Sequence, residues 1–291
     1  MEVAELLSKV RRIEIKTRRA CSQLFSGEYH SAFKGQGISF SEVREYQPGD
    51  EIRTIDWNVT ARLNHPYVKV FEDERELNIV LMVDASRSSF FGTTQHSKQD
   101  LMVEICALLS FSALNNNDKV SVIFFTDQVE KYIPPMKGRS HSLRIIRELI
   151  NFTPASAKTD VAEALHFLNS MRMHRSVVFL LSDFMSHKYE HALRIAATRH
   201  DVVCLRVFDP REHEMPNVGI ILLSDAETGE STFLSTSSRK ARAAYATQYE
   251  VFRRYFDAAY RRSGADSVSI STADDYIRCL MVLFKRRATR A

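Results

Sequence analysis

Four apolar runs, each closing on an aspartate, constrain this chain more than any other feature. They are residues 77–84 (LNIVLMVD), 119–127 (KVSVIFFTD), 176–183 (SVVFLLSD) and 202–209 (VVCLRVFD). Their apolar residues are continuous rather than alternating, the pattern of strands covered on both faces of a parallel sheet. Stretches of helical period separate them, at about 98–114, 140–151, 160–171 and 188–199; the first turns Leu101, Met102, Ile105, Cys106, Leu108 and Leu109 inward. Strands alternating with helices predict an α/β fold with a doubly wound, mostly parallel sheet. A short strand at 129–133 stops before Pro134-Pro135. A final strand over 218–225 is followed by a turn and strand through 226–234. A helix over about 238–263 carries the stripe Tyr245, Tyr249, Phe252, Phe256 and Ala259/Tyr260, a core face. Residues 267–270 add a strand, and 273–287 form a closing helix.

The N-terminal part differs. Residues 2–25 read as a helix with Val3, Leu6, Leu7, Val10 and Ile13 on one stripe. Glycines, Pro48-Gly49 and His65-Pro66 then punctuate short apolar pieces such as 67–71 (YVKVF), as in a small β-rich region. The expected division is residues 1–76, helix and β-rich region, and 77–291, the α/β domain with a C-terminal helical extension.

A formal charge of +4 is too small to argue for nucleic acid. The basic pairs, among them Arg253-Arg254 and Lys285-Arg286-Arg287, stand beside apolar residues and read as solvated helix faces. No apolar run approaches the roughly 20 residues of a membrane span, and the start has acidic residues and no small-residue cleavage site. Cys21, Cys106, Cys204 and Cys279 form no C-x-x-C pair. A reduced, cytoplasmic protein is the expectation.

In an open α/β sheet, ligands bind beyond the carboxyl ends of the strands, where the strand order reverses. The loops leaving those ends carry the chemistry. The first strand runs into 84–89 (DASRSS), an Asp-x-Ser-x-Ser; the third closes on Ser182-Asp183; and 158–160 (KTD) precedes a helix between them. Asp84, Ser86, Ser88, Thr159 and Asp183 thus form a candidate set of oxygen ligands for a hard divalent cation, Mg²⁺ or alternatively Mn²⁺ or Ca²⁺. The competing reading makes them helix caps: Ser86 or Ser88, Thr159 and Asp183 each before a following helix. Two carboxylates and three hydroxyls only just balance a divalent charge, which leaves such an ion attractive to an acidic side chain of another protein. No H-E-x-x-H, Gly-x-Ser-x-Gly or Walker loop is present. A binding module rather than an enzyme is therefore expected.

These residues resemble the metal-ion-dependent adhesion site (MIDAS) of von Willebrand factor type A domains, which combines Asp-x-Ser-x-Ser, a distant threonine and an aspartate after a later strand. The resemblance implies that a partner's carboxylate completes the metal site. The segment 31–62 is similar to the signature of the bacterial family catalogued as domain of unknown function 58. Its matching residues are Gly35, Gly37, Phe40, Arg44, Tyr46, Gly49-Asp50, Arg53, Ile55-Asp56-Trp57 and Ala61-Arg62, and 225–230 (DAETGE) also matches. Membership implies association with a MoxR-type AAA+ ATPase in the maturation of client proteins. The sequence departs from the site motif at 156–158 (SAK), where a glycine often precedes the threonine. The charges of Arg44, Asp50, Arg53, Asp56 and Arg62 suggest a buried or half-buried ionic network. The rivals are a Mg²⁺-dependent hydrolase using Asp84 with Glu72-Asp73-Glu74, and a nucleic-acid-binding protein. That acidic run is a poor cluster, because consecutive strand residues point to opposite faces.

Overall fold

The apolar runs become the centre of a six-stranded sheet in the computed structural model, which describes residues 8, 10–17, 38–73, 76–94, 96–225, 227 and 229–289. Two compact units divide the chain: Lys34–Leu77, and Met1–Phe33 together with Asn78–Ala291. The division expected from sequence puts the first helix with the β-rich part, whereas here it falls in the larger unit. Residues 10–17 are helical (α1), and Val10 and Ile13 are buried. Lys16 pairs with Glu104 at 2.6 Å and Arg139 with Glu14 at 2.6 Å, tying α1 to that body. Apart from residue 8, the rest of the helix expected over 2–25 lies outside the described residues.

In the smaller unit, β1 (Ile38–Glu45) pairs antiparallel with β2 (Tyr67–Asp73), with a bulge between Phe40 and Glu42. Between them lies α2 (Trp57–Leu63), capped by the Asp56 carboxylate, which accepts from the Asn58 and Val59 N–H groups. The signature's charges are used locally. Arg44 grips Asp50 through two bonds of 2.8 and 2.7 Å, both partners partly exposed, and Asp56 is a cap with Lys69 at 3.5 Å. Trp57 is 67% exposed. Of the expected buried or half-buried network, the structure shows half-buried pairs that serve as a turn clamp and a helix cap. Gly35 and Gly37 lie outside the described residues.

The larger unit is built on β3 (Asn78–Asp84), β4 (Lys119–Phe125), β5 (Val129–Met136), β6 (Val177–Ser182), β7 (Asp201–Phe208) and β10 (Asp266–Ser271), in the spatial order β10-β7-β6-β3-β4-β5. All neighbours are parallel except β4 and β5. Strand β5 extends through Pro134 and Pro135, beyond the expected 129–133, because an outer edge tolerates residues that donate no ladder bond. Helices α3 (Lys98–Asn115), α4 (Arg139–Asn151), α5 (Val161–Ser170) and α6 (Glu190–Arg199) supply the connections, and a short α7 (Pro210–His213) follows β7. Helix α8 (Arg239–Ser263) buries Tyr249, Phe256 and Ala259, the stripe read from sequence, and α9 (Tyr276–Ala288) closes the chain. One core on this side joins Val80, Met82, Leu180, Cys204, Phe184, Leu193 and Phe256.

The strand expected at 218–225 does not enter this sheet. It forms a separate antiparallel hairpin, β8 (Ile220–Ser224) with β9 (Ser231–Ser235), and the sixth strand is β10. Burial along β8 alternates, and Ile220 and Phe233 are 73% and 77% exposed. Apolar content there resembles a buried strand, but Ile220, Leu222 and Phe233 stay exposed on one face of the hairpin.

Candidate functional site

The chain leaves β3 toward β4 on one side and later returns to place β6 on the other. The strand order therefore reverses at β3, and a crevice opens at the carboxyl ends of β3, β4 and β6. Backbone hydrogen bonds gather three loops there. The Ala85 N–H donates to the Phe125 carbonyl (2.8 Å), the Arg87 N–H to Ala157 (3.2 Å) and the Asp160 N–H to Thr126 (2.9 Å). Glu130 braces the loop that lacks the motif glycine: its carboxylate accepts from the Ala155 N–H (2.7 Å), the Ser156 N–H (3.0 Å) and the Thr126 hydroxyl (2.8 Å). A carboxylate from the next strand thus holds a turn that a glycine would otherwise ease.

Within the crevice, Asp84 is 1% exposed. Its Oδ1 accepts the Ser86 N–H at 2.9 Å and its Oδ2 accepts the Ser182 hydroxyl at 2.6 Å. The Ser86 and Ser88 hydroxyls lie 3.0 Å apart, and Ser88 Oγ donates to Asp183 Oδ2 at 3.0 Å. The Thr159 Oγ1 is buried and has no hydrogen-bond partner among the described residues. Asp84, Ser86, Ser88 and Asp183 are thus joined in one hydrogen-bonded chain, and Thr159 stands on the adjoining loop with its hydroxyl unused. Just beyond Asp183, buried Phe184 adopts φ 56°, a left-handed conformation costing about 1–2 kcal/mol for a side chain of this kind. The Phe256 ring at 4.6 Å and the Ser182 hydroxyl, accepting the Phe184 N–H at 3.0 Å, hold it there. This turn lets Asp183 sit beside the strand end it leaves.

None of the five side chains makes a helix-capping hydrogen bond. Ser97 caps α3 in a capping box with Asp100, Asp160 caps α5, and α6 begins after Tyr189 without a side-chain cap. Ser86 precedes a short 3-10 turn, Arg87–Phe90, and makes no cap bond to it. The capping explanation of these oxygens is accordingly removed.

Electrostatics separate the two aspartates. Burial, and then the charge of Asp183, push the Asp84 carboxyl up to about 6. Asp183 is as deeply buried, which works against its charge, but the ammonium of Lys98 outweighs this and holds it below the ordinary carboxylate range. Lys98 is 1% exposed, and its Nζ donates to Asp183 Oδ2 at 2.7 Å and to Glu212 Oε1 at 2.5 Å. Burial disfavours its charge, yet the two carboxylates raise its value above that of a free lysine. Glu212 is pushed up by burial and by Asp183, against the pull of Lys98. Lys98, Glu212 and Glu130 all escape a motif reading. Lys98 in particular stands at a helix start, where a lysine ordinarily reaches solvent.

No group of three or more His, Cys, Asp or Glu converges as a metal-ligand set among the described residues. The donors here are different, two carboxylates and three hydroxyls. Hard oxygen ligands, one buried hydroxyl left without a partner and an excess of negative charge fit a divalent cation such as Mg²⁺.

Fold and site together define an α/β protein with an oxygen-lined crevice at its switch point. The chain belongs to the family described as Protein of unknown function DUF58, which matches residues 42–255. It is similar to an uncharacterized protein of Mycobacterium tuberculosis, 31% identical over 296 residues, 99% of this chain and 92% of that one. Among solved structures, BatB from Bacteroides thetaiotaomicron has a TM-score of 0.49 at 15% identity, covering 73% of this chain and 99% of that chain. A von Willebrand factor type A protein from Catenulispora acidiphila has a TM-score of 0.39 at 11% identity, covering 76% and 43%. No helix among the described residues is long and apolar enough to cross a membrane.

Proposed function

We propose that this chain is a metal-ion-dependent protein-interaction module that binds Mg²⁺, or Mn²⁺ or Ca²⁺, through Asp84, Ser86, Ser88, Thr159 and Asp183. The supporting observation is that Asp84, Ser86, Ser88 and Asp183 form one hydrogen-bonded chain at the strand ends, with Thr159 on an adjoining loop, while none of these side chains caps a helix. A bound cation would supply Lewis-acid attraction for an outside carboxylate. The chain's own residues hold the donors in place: Ser182 orients Asp84, and Lys98 orients Asp183. The occupant is read as an acidic side chain of another protein. The resemblance of residues 31–62 points to a MoxR-type AAA+ ATPase or its client, with this chain as adaptor in client maturation. The setting is read as cytoplasmic and reducing, in keeping with free thiols at Cys106, Cys204 and Cys279.

Calorimetric titration of a MoxR-type ATPase onto the protein tests this reading. Chelating the metal with EDTA should weaken binding at least about tenfold, ~1.4 kcal/mol, because coordination sits at the centre of the interface. Neutralising exposed Lys158 should mainly slow association. Affinity indifferent to EDTA would mean that recognition lies elsewhere.

The chain is also proposed to break no bonds itself, since its sequence carries no H-E-x-x-H, Gly-x-Ser-x-Gly or Walker loop. Purified protein with Mg²⁺ or Mn²⁺ should give background rates on phosphoesters, nucleotides and peptides. Turnover that disappears in Asp183→Ala would overturn this.

A further inference from the structure

The β8–β9 hairpin presents an apolar face to solvent. Its alternation leaves Ile221, Leu223 and Leu234 half-buried on one side and Ile220, Leu222 and Phe233 exposed on the other, with exposed Val218 just before β8. Leu222 and Phe233 stand directly opposite each other in the register, at the middle of that outer face. A two-stranded ribbon is marginal alone and gains stability when a face is covered. A single exposed apolar residue is ordinary, but a contiguous set marks an interaction surface.

Charge is separated along the same hairpin. The turn carries Asp225, Glu227 and Glu230, and no lysine or arginine occurs between residues 218 and 238. At the other end the Thr236 N–H donates to the Gly219 carbonyl at 2.7 Å, joining the two strands. The chain then passes through the cap Ser238 into α8, which opens on exposed Arg239 and Lys240, while Arg242 donates to the Thr236 carbonyl. The surface thus has an acidic end, an apolar middle and a basic end. Such a surface complements an identical one turned end for end.

We propose that this face joins two copies of the chain in an isologous, head-to-tail dimer. The twofold axis passes by Leu222 and Phe233, so the aromatic anchor of each copy lies at the centre of the contact. The acidic turn of one copy then meets the basic base of the other, at both ends at once. Turn against turn would set acid against acid. A patch of a few hundred Å² is less than the roughly 800 Å² per partner of a standard interface, which puts the dimer in the micromolar range. This inference does not depend on the metal reading.

Sedimentation equilibrium of the full chain measures the association, in EDTA so that no metal bridges two copies. Leu222→Ser with Phe233→Ser should weaken dimerisation at least about tenfold, because the change enters the interface twice. Reversing the turn (Glu227→Lys with Glu230→Lys) or the base (Arg239→Glu with Lys240→Glu) should weaken it by about as much. An equimolar mixture of the two reversed proteins should recover it as a heterodimer. The separate losses require turn to meet base, and the recovery requires both surfaces to belong to this chain. Circular dichroism checks that each variant is folded; if the serine pair unfolds the hairpin, the charge reversals still decide. A monomer at near-millimolar concentration would overturn the proposal and leave the face to another occupant. Dimerisation indifferent to folded Leu222 and Phe233 variants would overturn it, as would reversed proteins that lose nothing alone or fail to recover when mixed.

Discussion

Replacing Lys98 with methionine should destabilise the metal-free protein by about 3–5 kcal/mol, the cost of stranding buried carboxylates. Methionine retains most of the stem volume, so packing inside α3 changes little and the loss is electrostatic. Asp183 and Glu212 would each lose the ammonium now at 2.7 and 2.5 Å, and Asp183 would face Asp84 without compensation. Urea denaturation at pH 7 in EDTA measures the loss. Two companions make the reading specific. Saturating Mg²⁺ should recover part of the loss, because the proposed metal site includes the same Asp183 carboxylate. The triple variant Lys98→Met with Asp183→Asn and Glu212→Gln should recover most of it, since no buried charge remains. A loss below about 1 kcal/mol in Lys98→Met would show that water reaches the pair and that the lysine is no organiser of the site.

Asp84→Asn should have the opposite effect on stability while destroying metal binding. The folded value of Asp84, about 6, lies above the 3.8 of a free aspartate, so the native state holds this proton more tightly than the unfolded chain. Its contribution is fully present below about pH 4, is lost as pH rises from about 4 to 6, and stays lost above. Over that window the shift corresponds to about 3 kcal/mol. At pH 7 the asparagine variant should therefore be more stable without metal, by up to about 3 kcal/mol less what its amide loses against Ser182. Asp183 titrates in the opposite sense and Glu212 in the same sense as Asp84, so the quantity to measure is the difference between the two proteins from pH 4 to 8, in EDTA. Added Mg²⁺ should stabilise only the unaltered protein, and less so as pH falls below about 6. Equal stability of the two proteins at pH 4 and at pH 7 would mean that Asp84 is not held protonated by its burial. Such a pattern, a site residue that costs stability, is what a binding function retained against folding requires.

The legibility of this molecule differs from element to element for physical reasons. Strands β3, β4, β6 and β7 were readable because continuous apolar residues have one common solution, burial on both faces by helices. Strand β8 carries the same residue types and went elsewhere, since nothing in local composition says whether a helix will cover it. Strand β10 (Asp266–Ser271), expected at 267–270 in spite of its three serines, takes an edge of the sheet, a position that asks for little apolar surface. Asp84, Ser86, Ser88 and Asp183, which the structure joins in one hydrogen-bonded chain, were readable as neighbours because they fall at strand ends. Their partners were not.

What the sequence determined by itself is the periodicity, and through it the α/β class, the parallel sheet and the edge at which oxygens must collect. Those follow from hydrophobic burial, which is local in pattern and indifferent to which distant segment provides the cover. Only the tertiary structure decided the charge state of the site. Lys98 and Glu212 lie 114 positions apart, and Lys98 and Asp183 lie 85 apart. Their meeting depends on α3 and α7 docking at one end of the sheet. The field at a buried carboxylate comes from whatever charge folding places within a few ångströms of it, and no short stretch of sequence contains that information.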